Sequence, residues 1–323
     1  MRNVAILMGG DSSEYEISLK SAQVVYNHLD KTKYNPYLIS VKGTDWTCNI
    51  DGNLYRVNRH DFSIETMHAK IQFDTAFIAI HGTPGENGPL QGYFDLLKIP
   101  YTTCGQFQAA LTFNKAMCNT VLKQLGFACG KSVFVHQGKS YDAKAIASEI
   151  GFPCFVKPSE AGSSYGVSKV KTIEDLPKAI DSAWEHSKVV LIESFLEGRE
   201  ITCGVHNFNG EPEALPLTEI ITKNEFFDFQ AKYQGASEEI TPAQVDEETK
   251  LRIQKVAKDI FVALEMNTIC RVDFMVNPNG TPYVIEINTV PGLSEESLIP
   301  QMAREAGYSL QEFFGMWVEH SLK

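Results

Sequence analysis

The chain has 323 residues, of which 43% are hydrophobic and 21% charged, and its formal net charge is −11. This length allows two or three domains with a sizeable core, and a net negative charge would repel nucleic acid and anionic membranes, so we expect neither partner. No apolar run approaches the roughly 18 residues that a membrane span needs, and seven cysteines without a C-x-x-C pair indicate free thiols in a reducing cytoplasm.

The first third of the chain alternates between predicted strands and helices. A buried strand at 4–8 runs into Gly9-Gly10, and the helix that follows carries Glu14 in its first turn. Further strands are predicted at 36–41, 74–80 and 99–102, with a helix at 91–97. The alternation favours a parallel α/β domain. Glu14 is then either a favourable charge at a helix start or a ligand residue at the carboxyl edge of the sheet.

The third predicted strand ends in the segment HGTPGENG, which begins at His81. A single histidine at a strand end is more often a hydrogen-bonded structural residue than a ligand. A second unit follows, with helices predicted at 115–125 and 142–150 and strands at 132–136 and 152–157. Lys157 then precedes a Gly/Ser-rich loop, SEAGSSYG, which either folds over phosphate groups or is only a turn.

After a predicted helix at 173–186, a strand at 189–193 runs into ESFLEGRE. Its spaced carboxylates suit recognition of adenine and ribose, although an exposed acidic turn has the same spacing. Strands are predicted at 201–207 and 214–221. The pattern is then lost over 222–240, where four aromatic residues argue for a functional loop rather than disorder. A long amphipathic helix is predicted at 244–264.

A β-hairpin follows this helix, with strands at 271–276 and 283–288 around the turn NPNG. Period-2 alternation places Arg271 and Asp273 on one face of the first strand, and Glu286 and Asn288 on one face of the second. Natural pairing would bring Asp273, Glu286 and Asn288 together as oxygen ligands for Mg²⁺. A solvent-facing hairpin with one ion pair remains the alternative.

The hairpin leads into a loop and a second predicted helix start. We expect Ser294 to be the N-cap of this helix. The N–H of Gly292 and the helix N-terminus with Ser297 would then form an anion site beside the metal.

Taken in order, these segments resemble the motifs of the D-alanine–D-alanine ligases, which are ATP-grasp enzymes. The matching runs are GGDSSE, HGTPGENG, KPSEAGSSYG, ESFLEGRE, FDFQAKY and RVD…EINTVPG…SL, with Asn87 where the family has Asp. The resemblance implies an α/β ATP-grasp fold: an N-terminal Rossmann-like α/β domain over 1–104, a central lid domain over 105–192 and a C-terminal α+β catalytic domain over 193–323.

The resemblance also implies a reaction, in which ATP phosphorylates the carboxylate of one D-alanine and the amine of a second displaces phosphate, for peptidoglycan precursor synthesis. Two Mg²⁺ ions, for which Mn²⁺ could substitute, would be held by Asp273, Glu286 and Asn288. The implied catalytic residues are Glu14, Ser163, Tyr233, Arg271 and Gly292. The implied ATP contacts are Lys115, Lys157, Ser164, Glu193, Phe195, Leu196, Glu200 and Lys232. The implied D-alanine contacts are Glu14, His81, Arg271, Gly292, Ser297 and Leu298.

Two of these residues have special implied roles. Tyr233 would hydrogen-bond to Ser163 and Glu14 and hold a mobile flap shut, and it argues against a D-alanine–D-lactate ligase, which typically has a histidine in the flap. That enzyme and other ATP-grasp carboxylate–amine ligases remain the nearest alternatives. A nicotinamide-dependent dehydrogenase is more distant, because no G-x-G-x-x-G follows the first strand. A homodimer is left open.

Overall fold

The computed structural model describes residues 1–162, 165–222 and 237–323, and in these ranges three β-sheets are flanked by helices. The strands are β1 (Arg2–Gly9), β2 (Tyr34–Lys42), β3 (Asp45–Ile50), β4 (Asn53–Asn58), β5 (Ser63–Glu65), β6 (Lys70–Gln72), β7 (Thr75–Ile78), β8 (Ser132–His136), β9 (Cys154–Pro158), β10 (Ser168–Val170), β11 (Val189–Ser194), β12 (Arg199–His206), β13 (Glu213–Ala214), β14 (Thr218–Thr222), β15 (Ser237–Ile240), β16 (Ile269–Val276) and β17 (Pro282–Asn288). The helices are α1 (Tyr15–His28), α2 (Pro89–Leu97), α3 (Gln106–Phe113), α4 (Lys115–Gln124), α5 (Ala143–Ile150), α6 (Leu176–Trp184), α7 (Glu247–Ala263), α8 (Leu298–Glu305) and α9 (Leu310–Ser321).

The first sheet has the strand order β6-β5-β4-β3-β2-β1-β7. Only β1 pairs in parallel, with β2 and β7, as the α/β prediction requires. Strands β3 to β6 were not predicted, because they are short, mostly polar at their exposed positions and joined as an antiparallel meander. The predicted strand at 99–102 is wrong, since this segment makes a single bridge between Ala76 and Tyr101.

The second sheet is antiparallel, in the order β10-β9-β11-β8, and lies at 132–194. Its predicted strands and the helix α5 are confirmed. Asp142 caps α5 by accepting hydrogen bonds from the N–H groups of Lys144 and Ala145. Helix α6 is shorter than predicted and has a proline in its first turn, as the missing N–H of proline allows.

The third sheet has the order β15-β14-β12-β16-β17, with β13 paired to β12. The predicted strand at 214–221 is divided into β13 and β14, and Pro216, which has no N–H for a ladder hydrogen bond, lies between them. Residues 237–240 were expected to belong to a loop, but they form the edge strand β15. The long helix α7 is confirmed and is capped by Asp246.

The last helix connects the two ends of the chain. Trp317 of α9 is fully buried against Phe77 of β7, with ring centroids 5.1 Å apart, and its Nε1 donates to the carbonyl of Thr102. Phe314 packs in the same cluster as Val4.

The domain boundaries stay a prediction, although the three sheets occupy residues 2–78, 132–194 and 199–288. Among the described residues, no helix is both long enough and apolar enough to span a bilayer.

Candidate active site

The hairpin of β16 and β17 brings the predicted oxygen ligands together. Arg271 pairs with Asn288 and Asp273 with Glu286, so the predicted convergence is confirmed, although it depends on a β-bulge between Asp273 and Phe274 that shifts the register set by the turn. The Arg271 guanidinium donates two hydrogen bonds of 2.8 Å to the Asp273 carboxylate, and Asn288 Nδ2 donates a third at 3.0 Å. Burial alone would lower the pKa of Arg271, but Asp273, and after it Glu286, outweigh burial and raise that pKa. Arg271 is therefore a fixed positive charge.

The loop after β17 differs from the prediction at its helix start. Helix α8 begins at Leu298 with Ser297, not Ser294, as its N-cap. Ser294 instead begins a turn that ends at the Ser297 N–H, and the two hydroxyls are 2.7 Å apart. A side chain at Gly292 would lie 2.8 Å from Ser297 Oγ, so Ser297 would have to move to admit it. Within the described part of the chain, the Gly292 N–H donates no hydrogen bond, and the residue lines a cavity.

Glu14 and His81 come from the edge of the first sheet, where β1 and β7 end. Glu14 is buried immediately before α1 rather than inside its first turn. His81 Nε2 lies 2.9 Å from Ser21 Oγ and its Nδ1 lies 2.9 Å from the Val290 carbonyl. Burial lowers the pKa of His81, an effect that Glu14 opposes. A neutral imidazole that donates from Nδ1 and accepts at Nε2 satisfies both contacts.

The sequence pattern did not single out Glu86, although it lies inside the segment HGTPGENG. Its carboxylate accepts hydrogen bonds from the N–H groups of Gly82 at 2.7 Å and Val290 at 3.3 Å. Burial, and after it the charge of Glu14, raises the pKa of Glu86 to about 8. Glu86 thus joins the histidine loop to the hairpin exit. The neighbouring Asn87 Oδ1 is buried without a hydrogen-bond partner among the described residues.

These groups surround a first cavity of about 340 Å³. It brings together all the predicted D-alanine contacts and two of the three predicted metal ligands. Its polar and apolar walls include Glu14, Lys20, His81, Glu86, Lys115, Glu239, Arg271, Glu286, Asn288, Gly292, Ser297 and Leu298. Asp273, the third predicted ligand, lies behind Arg271 and is buried.

A second cavity, of about 530 Å³, lies between the second and third sheets. It contains every predicted ATP contact that the structure describes: Lys115, Lys157, Glu193, Phe195, Leu196 and Glu200. Lys157 Nζ lies 2.8 Å from Glu193 Oε2, and Asn119 donates to Glu193 Oε1 at 3.2 Å. Burial would lower the pKa of Lys157, but Glu193 outweighs it and raises that pKa. Phe195 is 39% exposed, which leaves an aromatic face in the cavity.

The two cavities share Lys115, Ala161 and Glu286. Lys115 Nζ lies 3.4 Å from Glu286 Oε2 and donates to the carbonyl of Ala161 at 2.9 Å. A group entering from the second cavity would therefore meet a cation and a carboxylate before it reached the first. The neighbouring Gly162 lies against Glu14, because a side chain built there would collide with the Glu14 carboxylate.

Four predicted site residues lie outside the described residues. These are Ser163, Ser164, Lys232 and Tyr233. Their roles stay predictions.

Comparison with known proteins gives a consistent result. The family model described as D-ala D-ala ligase N-terminus matches residues 3–104, and the model described as D-ala D-ala ligase C-terminus matches residues 121–319. A curated relative from Flavobacterium johnsoniae, named D-alanine--D-alanine ligase, is 46% identical over 324 residues and the match covers 100% of both chains.

Two solved structures extend this likeness to the fold. The VanG D-Ala:D-Ser ligase from Enterococcus faecalis aligns with a TM-score of 0.89 at 30% identity and covers 99% of each chain. A D-alanine–D-alanine ligase from Bacillus anthracis complexed with ATP aligns with a TM-score of 0.81 at 27% identity, over 100% of this chain and 98% of that one.

Proposed function

This chain belongs to the D-alanine–D-alanine ligase family, and from that premise we propose how its residues join two D-alanines at the expense of ATP. The predicted family, the α/β ATP-grasp fold and the ligase activity are confirmed by the matches over the whole chain. We assign the described residues of the two cavities to steps of this reaction.

The observation that carries the proposal is the junction of the two cavities at Lys115, Ala161 and Glu286. A nucleotide in the second cavity would direct its terminal phosphate towards this junction. A D-alanine carboxylate in the first cavity would approach from the other side. The Lys115 ammonium lies between them and would stabilise the charge of the transferred phosphoryl group.

The first D-alanine would lie between the N-terminal sheet edge and the hairpin. Its ammonium would meet Glu14, whose carboxylate faces the first cavity, while its carboxylate would lie near His81. Phosphorylation makes this carboxylate an acyl phosphate, in which the carbonyl carbon is open to attack. Attack by an amine then places negative charge on the carbonyl oxygen. The Arg271 guanidinium and the Gly292 N–H are the donors in this cavity that would stabilise it.

The second D-alanine would bind at the start of α8. The helix N-terminus and the hydroxyl of Ser297 favour a carboxylate. The buried Leu298 would pack against the substrate. The curated relative is a D-alanine–D-alanine ligase, which favours D-alanine as this second substrate over D-lactate.

The second cavity offers the chemistry that a nucleotide needs. Phe155 and Phe195 provide aromatic faces, with ring centroids 6.1 Å apart. Lys157 would contact phosphate oxygens. Glu193 holds Lys157 and Asn119, yet a carboxylate has about four acceptor positions and can take a further N–H from adenine. Glu200 would accept the ribose hydroxyls.

The hairpin supplies oxygen donors that suit Mg²⁺. Glu286 and Asn288 line the first cavity, whereas the Asp273 carboxylate is held by Arg271, Asn288 and Thr202 and would have to exchange one of these hydrogen bonds for the metal. No group of three His, Cys, Asp or Glu residues suited to a metal occurs in the described part of the chain. The Asn288 amide oxygen and phosphate oxygens would supply the remaining Mg²⁺ ligands. Bound Mg²⁺ supplies charge neutralisation for phosphoryl transfer.

The cysteine residues bear on the cellular compartment of the enzyme. All seven cysteines are free, as thiols in a reducing compartment would be. We therefore place the enzyme in the cytoplasm, where its dipeptide would supply peptidoglycan precursors.

The direct test uses the purified enzyme with ATP, Mg²⁺ and D-alanine. We expect equal amounts of ADP and D-alanyl-D-alanine, measured by coupled ADP release and mass spectrometry. D-lactate and D-serine, each supplied with D-alanine, serve as competing second substrates. Mixed products in excess of the dipeptide would contradict the assignment of D-alanine.

A second arm tests the intermediate. With hydroxylamine present, an acyl phosphate should be trapped as D-alanine hydroxamate, and dipeptide should fall as hydroxamate rises. Release of AMP or pyrophosphate would show adenylate chemistry and reject the acyl phosphate.

A further inference from the structure

Glu239 is an acidic residue of the first cavity that the reaction described above does not use. It lies on β15, the edge strand of the third sheet, where it pairs with Ile220 of β14. Its side chain lines the cavity that also contains Arg271, Ser297 and Leu298. It therefore faces the place where the second D-alanine would bind.

A neighbouring helix holds the Glu239 carboxylate in this position. Gln301 of α8 donates from Nε2 to Glu239 Oε2 at 2.9 Å, and the same amide donates to the carbonyl of Glu296 at 2.6 Å. Gln301 lies three positions after Leu298, so the helix that presents the second-substrate site also orients Glu239. Within the described residues, the Gln301 contact is the only hydrogen bond to this carboxylate.

The second D-alanine needs such a group because it enters as an ammonium ion. An ammonium nitrogen has no lone pair and cannot attack a carbonyl carbon until it loses a proton. Among the described cavity acids, Glu14 is assigned to the first D-alanine, and Glu86 is hydrogen-bonded to two backbone N–H groups. Glu286 is paired with Lys115 and assigned to the metal. Both ring nitrogens of His81 are already engaged.

We propose that Glu239 binds the ammonium of the second D-alanine and accepts the proton that it loses before attack. The inference rests on the proposed function, because it requires the second D-alanine to bind at Ser297 and Leu298. One N–H bond of the ammonium breaks, and an O–H bond forms on Glu239. The freed lone pair then forms the C–N bond, and the C–O bond to phosphate breaks. The remaining extra proton leaves on the departing phosphate.

The surroundings of Glu239 agree with this role. Burial raises the pKa of its carboxyl, while the Gln301 donor and then Arg271 oppose the rise and Glu296 adds to it. A carboxylate with a raised pKa is a better proton acceptor than an exposed one. Glu296 lies at the rim of the same cavity and is exposed, so it would attract an ammonium but not hold it in one place.

The test compares a charged and an uncharged nucleophile in Glu239→Gln. Glutamine keeps a carbonyl that can accept the Gln301 hydrogen bond and removes only the charge. Near neutral pH hydroxylamine is uncharged and needs no proton acceptor. We expect hydroxamate formation within about twofold of wild type, while the KM for the second D-alanine rises about 10- to 100-fold, the range for loss of a hydrogen bond between charged groups.

Two further measurements make the result specific. Raising the pH to about 9, where more D-alanine carries a neutral amine, should recover part of the dipeptide rate of the variant. Glu238→Gln is the matched control. It removes the same charge from the same strand, but Glu238 is exposed and strand alternation turns it to the other face. Both of its rates should stay within about twofold of wild type.

Two results for Glu239→Gln would overturn the inference. An unchanged KM for the second D-alanine in Glu239→Gln overturns it. A parallel loss of hydroxamate and dipeptide also overturns it, because that result indicates a structural role for the Gln301 contact. If wild-type enzyme yields neither hydroxamate nor dipeptide, the proposed function fails and the inference fails with it.

Discussion

At the scale of single residues, the site is a set of charges held in place by other charges. Arg271 is fixed by Asp273, Lys157 by Glu193, and Lys115 lies against Glu286. Each cation is at least partly buried, and each would be strongly destabilised there without its partner. Such preorganised charges stabilise a transition state without needing to rearrange during the reaction.

Glu286 is the carboxylate of this set that lines both cavities. In Glu286→Gln the shape is kept, but one charge is lost from the metal donors and from the partner of Lys115. We expect turnover to fall by at least about 100-fold, while nucleotide binding persists because the aromatic walls of the second cavity are unchanged. Steady-state ADP release and equilibrium nucleotide binding measure the two effects.

The control is Glu211→Gln, which removes the same charge from an exposed loop position. It should have wild-type turnover. Near-normal ADP release from a folded Glu286→Gln protein would remove Glu286 from the site.

At the scale of elements, the strands and helices that follow from local periodicity were predicted best. Period-2 alternation placed Arg271 with Asp273, and Glu286 with Asn288, on shared faces, but the register set by the turn at 277–280 would oppose Asp273 to Ile285. A β-bulge between Asp273 and Phe274 shifts the pairing by one residue and brings Asp273 opposite Glu286, and no local pattern predicts that bulge. The N-cap at Ser294 was wrong, because serines at 294 and 297 both fit a helix start and the turn between them decides which one caps it.

Residues that reach the site through tertiary packing could not be predicted in this way. Glu239 belongs to an edge strand of four residues, and no local pattern shows that Gln301, 62 positions later, orients its carboxylate. Glu86 was visible within a motif, but its two backbone donors come from separate loops.

Helix α9 offers a test of element stability away from the site. Ser309 accepts a hydrogen bond from the Glu312 N–H at 3.2 Å, and the Glu312 carboxylate accepts one from the Ser309 N–H at 3.0 Å, which forms a capping box. Ser309→Ala should lower Tm by about 1–3 °C without changing KM for D-alanine. Ser309→Asn, which can still cap the helix, should keep most of the wild-type Tm. Equal Tm values for alanine and asparagine variants would show that the cap does not stabilise α9.

At the scale of the whole molecule, α9 joins the C-terminal residues to the first sheet, so the ends of the chain share one core.

His206 lies buried in this core, stacked on Phe208 with ring centroids 4.6 Å apart. Neither of its ring nitrogens has a hydrogen-bond partner among the described residues. Burial lowers the pKa of His206, an effect that Glu213 opposes and His320 adds to.

The sign of the resulting pH dependence follows from linkage. Below the ordinary histidine pKa of about 6.5, His206 is protonated in the unfolded chain but stays neutral in the folded core. The free energy of unfolding therefore decreases as pH falls. We expect Tm to fall less between about pH 7.5 and pH 5.5 in His206→Phe than in wild type, by about 2 °C or more. His81, which is also buried with a lowered pKa, should keep part of the dependence.

The matched control for this prediction is His60→Phe, at an exposed position. Its Tm should depend on pH as that of wild type does. If His206→Phe has the same pH dependence as wild type, protonation of His206 does not limit stability in acid.

The central claim is that ATP transfers its terminal phosphoryl group to a D-alanine carboxylate where the two cavities meet. The most direct measurement uses D-alanine labelled with ¹⁸O in its carboxylate and follows the label by mass spectrometry of the products. We expect one ¹⁸O atom in each inorganic phosphate released and no labelled AMP. Unlabelled phosphate, or label in AMP, would contradict the central claim.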